Sequence, residues 1–503
     1  MAHSGSSPSG VVFPEVDGKR STSALGRAVV ADALRPVDPV GAQAAERETN
    51  WRQGYLTHFR RMVEAGLLRD GEAAVDIARA GLGSLHERMR CATARGEVSL
   101  AEAFTVTPES GPALETATVR GSGERATTLT LPVHGERLSG DALHRQLDRW
   151  VAAGTLEPSA ADKVRDVMAH PDWLDLSGDK VVVLGAGAEM GPLRALLSWG
   201  AEVVGVDLPR PDIWKRVLEV AAGSAGTLHL PVAAGAGSAP GSGAATPSDL
   251  AMDAGADLVH GLPSVAHWLT GLDGPLVLGN YVYADGATNV RVAMAVDALS
   301  VELLKRRDDV ALAFLATPTD VFAVPGAAVD FSTRAYRSPS AAMRVLRPAL
   351  RTVSGGRLLQ RNYAPGSAPG LNDSLVPQQG PNYALAKRLQ RWRATVAARE
   401  GVTVSLNVAP PTRTRSVVKN RVLASAYAGA HRFGIEVFTP ATSNTLMAAL
   451  LVHDLRSAAA QPTRAPWLAE ADGAVHGGLW RTAYDPRSAL GLAVVLGLGS
   501  ARG

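Results

Sequence analysis

The sequence predicts an α/β protein, a doubly wound parallel sheet with a mostly helical domain ahead of it. Three observations carry this. Residues 180–184, 200–206 and 309–316 are short, predominantly apolar runs, the pattern of strands covered on both faces. Stretches with apolar residues at helical spacing separate such runs. A glycine-rich turn, Gly185-Ala186-Gly187-Ala188-Glu189-Met190-Gly191, stands between the first two. Strand and helix in alternation argue for parallel pairing.

Taken in order, residues 1–40 hold Ser, Gly and Pro early, show no clear period, and are expected to be loosely attached. From 41 to 175 a mainly helical domain is expected. Trp51, Tyr55, Phe59 and Met62 recur at helical spacing, and 73–89 behaves likewise. Residues 114–119 and 127–133 are of β type, and helices return at 141–153 and at 159–169, where Ser159 suits an N-cap.

The main domain is expected over 176–460. Its strands are read at 180–184, 200–206, 227–232, 256–260, 309–316 and 402–408. A helix is expected directly after the glycine turn, running to about Trp199, and strong helices at 288–307 and 382–399. Residues 233–247 form a Gly/Ala/Ser/Pro tract and read as an insertion. The stretch 323–381 is long for a connection and reads as an inserted subdomain or lid, with a helix near 340–350. Helices at 417–430 and 442–455 close the domain, and 461–503 reads as an appended tail.

Composition narrows the function. The chain has 503 residues and a formal net charge of +3, with Arg spread along it and no basic arm, so nucleic-acid binding is not indicated. One cysteine, Cys91, excludes a disulfide framework and a cysteine-based metal site. The histidines form no HExxH motif or close pair at ligand spacing, so no metal is expected. No apolar run is long enough for a membrane helix, and the first ten residues lack the layout of a signal peptide. A cytoplasmic protein acting on a small molecule, without nucleic acid or membrane as partner, is the expectation.

The turn suits a nucleotide. Gly185 permits a tight turn without a Cβ, Gly187 lets backbone approach a pyrophosphate, and Gly191 permits close packing of helix on strand. The helix N-terminus would then face the phosphates. Glu189 disfavours an anion there unless it points away. Asp207 ends the next strand, where an acid would bond ribose hydroxyls, with Leu208 beside it. That favours NAD over NADP, while Arg210 stands near enough to accept a 2′-phosphate.

A second motif lies far along the chain. Gly380-Pro381-Asn382-Tyr383-Ala384-Leu385-Ala386-Lys387 places a phenol and an amine one turn apart on a helix, with Pro381 in its first turn. A phenol titrates near pH 10, and a cation one turn away favours the phenolate and lowers that value. The lysine can also hold a cofactor's ribose. Leu385, Leu389, Trp392 and Val396 make an apolar stripe roughly opposite this pair. If the stripe is the only buried face, the pair is solvated surface.

Together these pieces, over about 180–450, resemble the short-chain dehydrogenase/reductase superfamily, especially its extended members. The resemblance implies a Rossmann-like NAD(P)-binding domain. It implies cofactor contacts from Gly185, Ala186, Gly187, Ala188, Glu189, Met190, Gly191, Asp207, Leu208, Lys387 and Pro410. Tyr383 and Lys387 would be the catalytic pair. Leu315-Ala316-Thr317-Pro318-Thr319-Asp320-Val321-Phe322 looks like the family's Ser/Thr-rich strand end, so that Thr317 or Thr319 would bond the substrate carbonyl. The segment Asn407-Val408-Ala409-Pro410-Pro411-Thr412 would border the nicotinamide. The interval from Thr319 to Tyr383 exceeds the family's usual spacing, and Ser374 is an alternative hydroxyl.

Three functions follow as expectations. The first is an NAD(P)-dependent oxidoreductase on a carbonyl or alcohol, or a related epimerase or dehydratase, and a homodimer by family resemblance. The second is an S-adenosylmethionine-dependent methyltransferase, since Gly-Ala-Glu-Val-Val-Gly-Val-Asp207 after a Gly-x-Gly turn also resembles that class. The third is a non-catalytic scaffold on the same fold.

Overall fold

Seven strands form the central sheet of the computed structural model, which describes residues 9–105, 113–235, 247–457 and 465–498. They are β1 (Leu114–Arg120), β2 (Lys180–Leu184), β3 (Glu202–Val206), β4 (Thr227–Ala233), β5 (Leu276–Asn280), β6 (Val310–Ala316) and β7 (Val404–Val408). Across the sheet the order is β7-β6-β5-β2-β3-β4-β1. Six strands are parallel, and β1 joins β4 antiparallel, with Arg120 opposite Thr227. β1 is mostly exposed and polar, as an edge strand tolerates.

The helices that position the site are α1 (Thr22–Leu34), α2 (Trp51–Gly66), α3 (Glu72–Arg88), α4 (Leu193–Ser198), α5 (Pro211–Ala222), α6 (Ala287–Arg306), α7 (Gly380–Arg399), α8 (Arg421–Ala430), α9 (Pro440–Arg456) and α10 (Pro486–Gly497). Side chains on a strand alternate between faces, and the buried residues sort accordingly. Val182, Leu184, Val204, Leu278 and Phe314 share one core with Val29, Tyr55, Leu82, Ala293 and Leu389. Their neighbours Val181, Val183, Val203, Val277 and Ala313 share the other with Trp150, Trp214, Leu218, Met447 and Leu450. Helices therefore cover both faces.

Several expectations change here. The fourth parallel strand is β5, whose Val277 sits opposite Val181, and not 256–260. Residues 257–260 turn instead, because the Asp257 carboxylate accepts the amides of Val259 (2.8 Å) and His260 (3.2 Å). A short acidic side chain that captures nearby amides competes with strand pairing.

The N-terminal segment is also not loose beyond residue 8. Ser21 caps α1, and Val29, Val30, Ala31, Ala33 and Leu34 are fully buried. Helices α1 to α3 pack over α7 and share a core with the sheet, so the expected boundary near 175 does not separate two cores. One carboxylate ties three helices: Asp297 of α6 accepts both nitrogens of the Arg393 fork (2.7 and 2.9 Å) from α7 and meets His86 Nε2 of α3 at 2.7 Å.

The described part of the 461–503 stretch is not a tail. His476 and Trp480 are fully buried, and α10 packs along α8. His476 and Arg481 both bond the buried Glu157, which anchors that segment to the N-terminal third. The expected 323–381 insertion holds helices at Gly326–Arg337 and Ala341–Val353 and a strand, Gly370–Asp373, paired with Val321–Val324. Most of the 233–247 tract lies outside the described residues. No helix among the described residues is long and apolar enough to cross a membrane.

Candidate functional site

One cavity of about 1450 Å³ opens at the carboxyl ends of the parallel strands. Residues that directly follow five of them line it: Gly185 after β2, Asp207 after β3, Tyr281 after β5, Thr317 after β6 and Ala409 after β7.

The glycine turn has a partly different construction from the one expected. Gly185 has φ +88°, and its amide donates to Val206 O at 2.8 Å. A Cβ there would stand 3.0 Å from Tyr281 O, and on Gly187 2.6 Å from Ile213 Cγ2. Those two positions need glycine. A Cβ on Gly191 would meet nothing closer than 3.5 Å, so helix packing does not require the third one. The helix also starts late. The turn closes on itself through Ala188 N to Gly185 O (2.9 Å) and Gly191 N to Ala188 O (3.2 Å), and α4 runs only from Leu193 to Ser198. Fewer than two turns of helix give little aligned dipole, so the anion site expected at a helix end is not built here. Within the turn the amides of Glu189 and Met190 donate to no acceptor among the described residues. Glu189 and Met190 line the cavity with Gly187 and Ala188, whereas Ala186 is buried beneath the turn.

Asp207 clamps that turn. Its two oxygens accept the amides of Gly187 (2.8 Å) and Leu208 (2.7 Å). Burial pushes its pKa up, against the pull of those amides. Each oxygen keeps a lone pair for a ligand hydroxyl. The Gly187 amide is thereby spent within the protein rather than left for a pyrophosphate. Arg210 is held by Asp212, with Nε and Nη2 each 3.2 Å from a carboxylate oxygen. Glu189 is turned onto Arg415, whose Nε lies 3.1 Å from Oε1 and whose amide donates to Oε2 at 2.7 Å. Its charge is neutralised beside the turn.

Tyr383 and Lys387 line the same cavity as the turn. Helix α7 is buried on nearly every side: the stripe of Leu385, Leu389, Trp392 and Val396 faces the core, while Arg388 and Arg391 clamp the buried Asp320, each at 2.6 Å. The pair is therefore not solvated surface. The Thr317 side chain lies near enough to the Tyr383 phenol to pull its pKa down. Thr319 lies 3.0 Å from Thr317 Oγ1 and accepts from Gln379 Nε2 at 2.5 Å. Lys387 Nζ donates to Gln390 Oε1 (3.1 Å) and reaches Leu315 O at 3.5 Å, and Gln390 in turn donates to Asn280 at the end of β5 (3.2 Å). Ser374 is committed elsewhere, donating to Asn372 at 2.6 Å.

Electrostatics correct one expectation. Burial pushes the Tyr383 phenol up from its ordinary value, Thr317 pulls it down and Asp320 pushes it further up. The lowered phenol expected from a lysine one turn away is not the outcome. Instead the lysine yields, and burial lowers Lys387 to about 8. Desolvation penalises whichever form carries charge, and it is the largest influence on both groups.

Sequence reasoning missed Gln379, Gln390, Asn280, Tyr283 and Tyr427. Tyr283 meets Tyr383 edge-on, with ring centroids 6.2 Å apart. Asn280 closes the apolar run of β5, the signal that would have found it. Pro410 lines the cavity next to Ala409, whose amide donates to Ala316 O at 3.0 Å. Among the described residues no group of three potential metal ligands is present. No protein-family model matches the chain, and no curated protein matches it.

Proposed function

We propose that the chain is an NAD(P)-dependent oxidoreductase of short-chain dehydrogenase/reductase type, acting on a carbonyl or alcohol. The observation that carries this is convergence: Tyr383, Lys387 and Thr317, from distant segments, share one cavity with the glycine turn and Asp207. At about 1450 Å³ the cavity exceeds the roughly 300–1000 Å³ of a single-ligand pocket, and suits a dinucleotide with a substrate. The strand order supports a Rossmann-like reading. Numbered along the chain, the six parallel strands run 3-2-1-4-5-6, and the turn after β2 lies where that order reverses, the usual place for a dinucleotide.

The residues fit such a cofactor. Gly185 and Gly187 place no Cβ at the two tightest positions of the turn, the Glu189 and Met190 amides can donate to phosphate oxygens, and Asp207 can accept ribose hydroxyls. Lys387 could donate to the nicotinamide ribose, and Pro410, which lines the cavity, would border the ring. When bound, NAD(P)H supplies the hydride. The protein supplies the proton and the geometry. A phenol raised by burial is protonated at neutral pH and can donate to a developing alkoxide. Thr317, which lines the same cavity beside that phenol, can hold the substrate oxygen against it. Methyl transfer leaves all three groups without a task.

The test is Tyr383→Phe, assayed by NADH oxidation over a panel of carbonyl compounds, with NADH binding followed by calorimetry. Turnover should fall by about 10²–10⁴ while cofactor affinity holds. Undiminished turnover removes Tyr383 from the mechanism.

A further inference from the structure

The cavity has two chemically distinct ends. Charged side chains gather at the glycine-turn end, among them Asp207, Arg210, Asp212, Arg216 and Arg415. Beyond Tyr383 the walls come from α8, from 433–437 and from 479–493. None of the described residues lining that part is charged. Its surface is made by side chains such as Leu423, Ala426, Phe433, Ile435, Leu490 and Ala493.

This apolar arm starts at the reacting groups. Tyr427 of α8 lies close enough to Tyr383 that the second phenol adds to the burial pushing Tyr427 up. Its walls are firm. α8 and α10 touch backbone to backbone, so that a Cβ on Gly429 would stand 2.0 Å from Ala493 O and one on Gly497 1.9 Å from Ser425 O. Phe433 and Tyr484 pack edge to face with centroids 6.3 Å apart. A chain that needed only to close this end of the fold would fill it; this one leaves it open to the phenol.

We infer that the substrate carries its carbonyl or alcohol on an apolar tail several carbons long, and that the tail lies in the arm walled by α8, 433–437 and 479–493. The inference rests on the oxidoreductase reading for its chemistry, but not for binding. In the reductive direction the carbonyl carbon accepts the hydride of the dihydronicotinamide, which is oxidised. The Tyr383 phenol gives its proton to the oxygen, the carbonyl becomes the alcohol, and the phenolate recovers a proton from solvent.

The experiment is a series of straight-chain aldehydes from propanal to decanal with NADH or NADPH, alongside calorimetric titration of 1-alkanols of the same lengths without cofactor. KM and Kd should fall about fourfold per added methylene until the arm is full, the yield of burying one CH₂. Leu490→Asp should flatten both series. Turnover with no dependence on length overturns the arm and leaves the oxidoreductase reading standing. Length-dependent alkanol binding without turnover of any aldehyde supports the arm and overturns the reductive chemistry. Alkanol binding that ignores length in the unaltered protein overturns the arm whatever the variant does.

Discussion

Lys387→Met should make this protein more stable at neutral pH. Burial lowers the lysine from 10.5 to about 8 in the folded protein, while the unfolded chain keeps the ordinary value. Between pH 8 and 10.5 the unfolded state therefore binds more protons than the folded one, and stability rises with pH across that window. Below pH 8 the full cost of holding an ammonium in the cavity wall remains, on the order of 3 kcal/mol. Methionine has similar length and no charge, so it removes that cost. It also removes the bond from Nζ to Gln390 Oε1 at 3.1 Å, worth about 1 kcal/mol. The variant should gain about 2 kcal/mol at pH 7 and lose about 1 kcal/mol above pH 10.5, where both side chains are neutral in either state. Urea unfolding of both proteins at the two pH values measures this, and alkaline effects common to both cancel in the difference. A variant weaker than the parent at pH 7, or a difference that ignores pH, would refute the burial of this charge. The same variant should lose turnover, which would make Lys387 a group retained for function against stability.

Two further outcomes test the surroundings. Asp320→Asn should destabilise the fold by about 3–5 kcal/mol in urea unfolding, because Arg388 and Arg391 lose the buried carboxylate that both contact at 2.6 Å. A loss under 1 kcal/mol would mean that water reaches the pair. Arg415→Ala should weaken NADH binding about fivefold at low salt by leaving Glu189 uncompensated beside the turn, and the effect should fade at high salt. Equal affinity at low salt would show that the Glu189 charge does not reach the phosphates.

Strands β2 and β3, the turn between them and the Tyr383–Lys387 spacing were readable because each is local. The four apolar residues Val181 to Leu184, the glycines that follow them and an i,i+4 pair declare themselves within one window. The fourth strand was not readable that way. Residues 256–260 and Leu276–Asn280 are both short and partly apolar, and only the Asp257 side chain capturing two amides turns the first aside. The length of α4 was equally hidden, since Gly191 and Pro192 are compatible with a helix start at either place.

By itself the sequence determined the alternating α/β plan, the glycine turn and the one-turn spacing of Tyr383 and Lys387. Tertiary structure alone decided that α1 to α3 lie over α7, so that Tyr383 and Lys387 are enclosed rather than exposed. It also decided that 465–498 builds one end of the cavity instead of trailing from it. The physical reason is that burial is a property of surfaces meeting. A helix such as α7 shows its own apolar stripe in its residues, but the partners that cover its polar faces come from far along the chain, and desolvation by those partners is what raises the pKa of the phenol and lowers that of the amine.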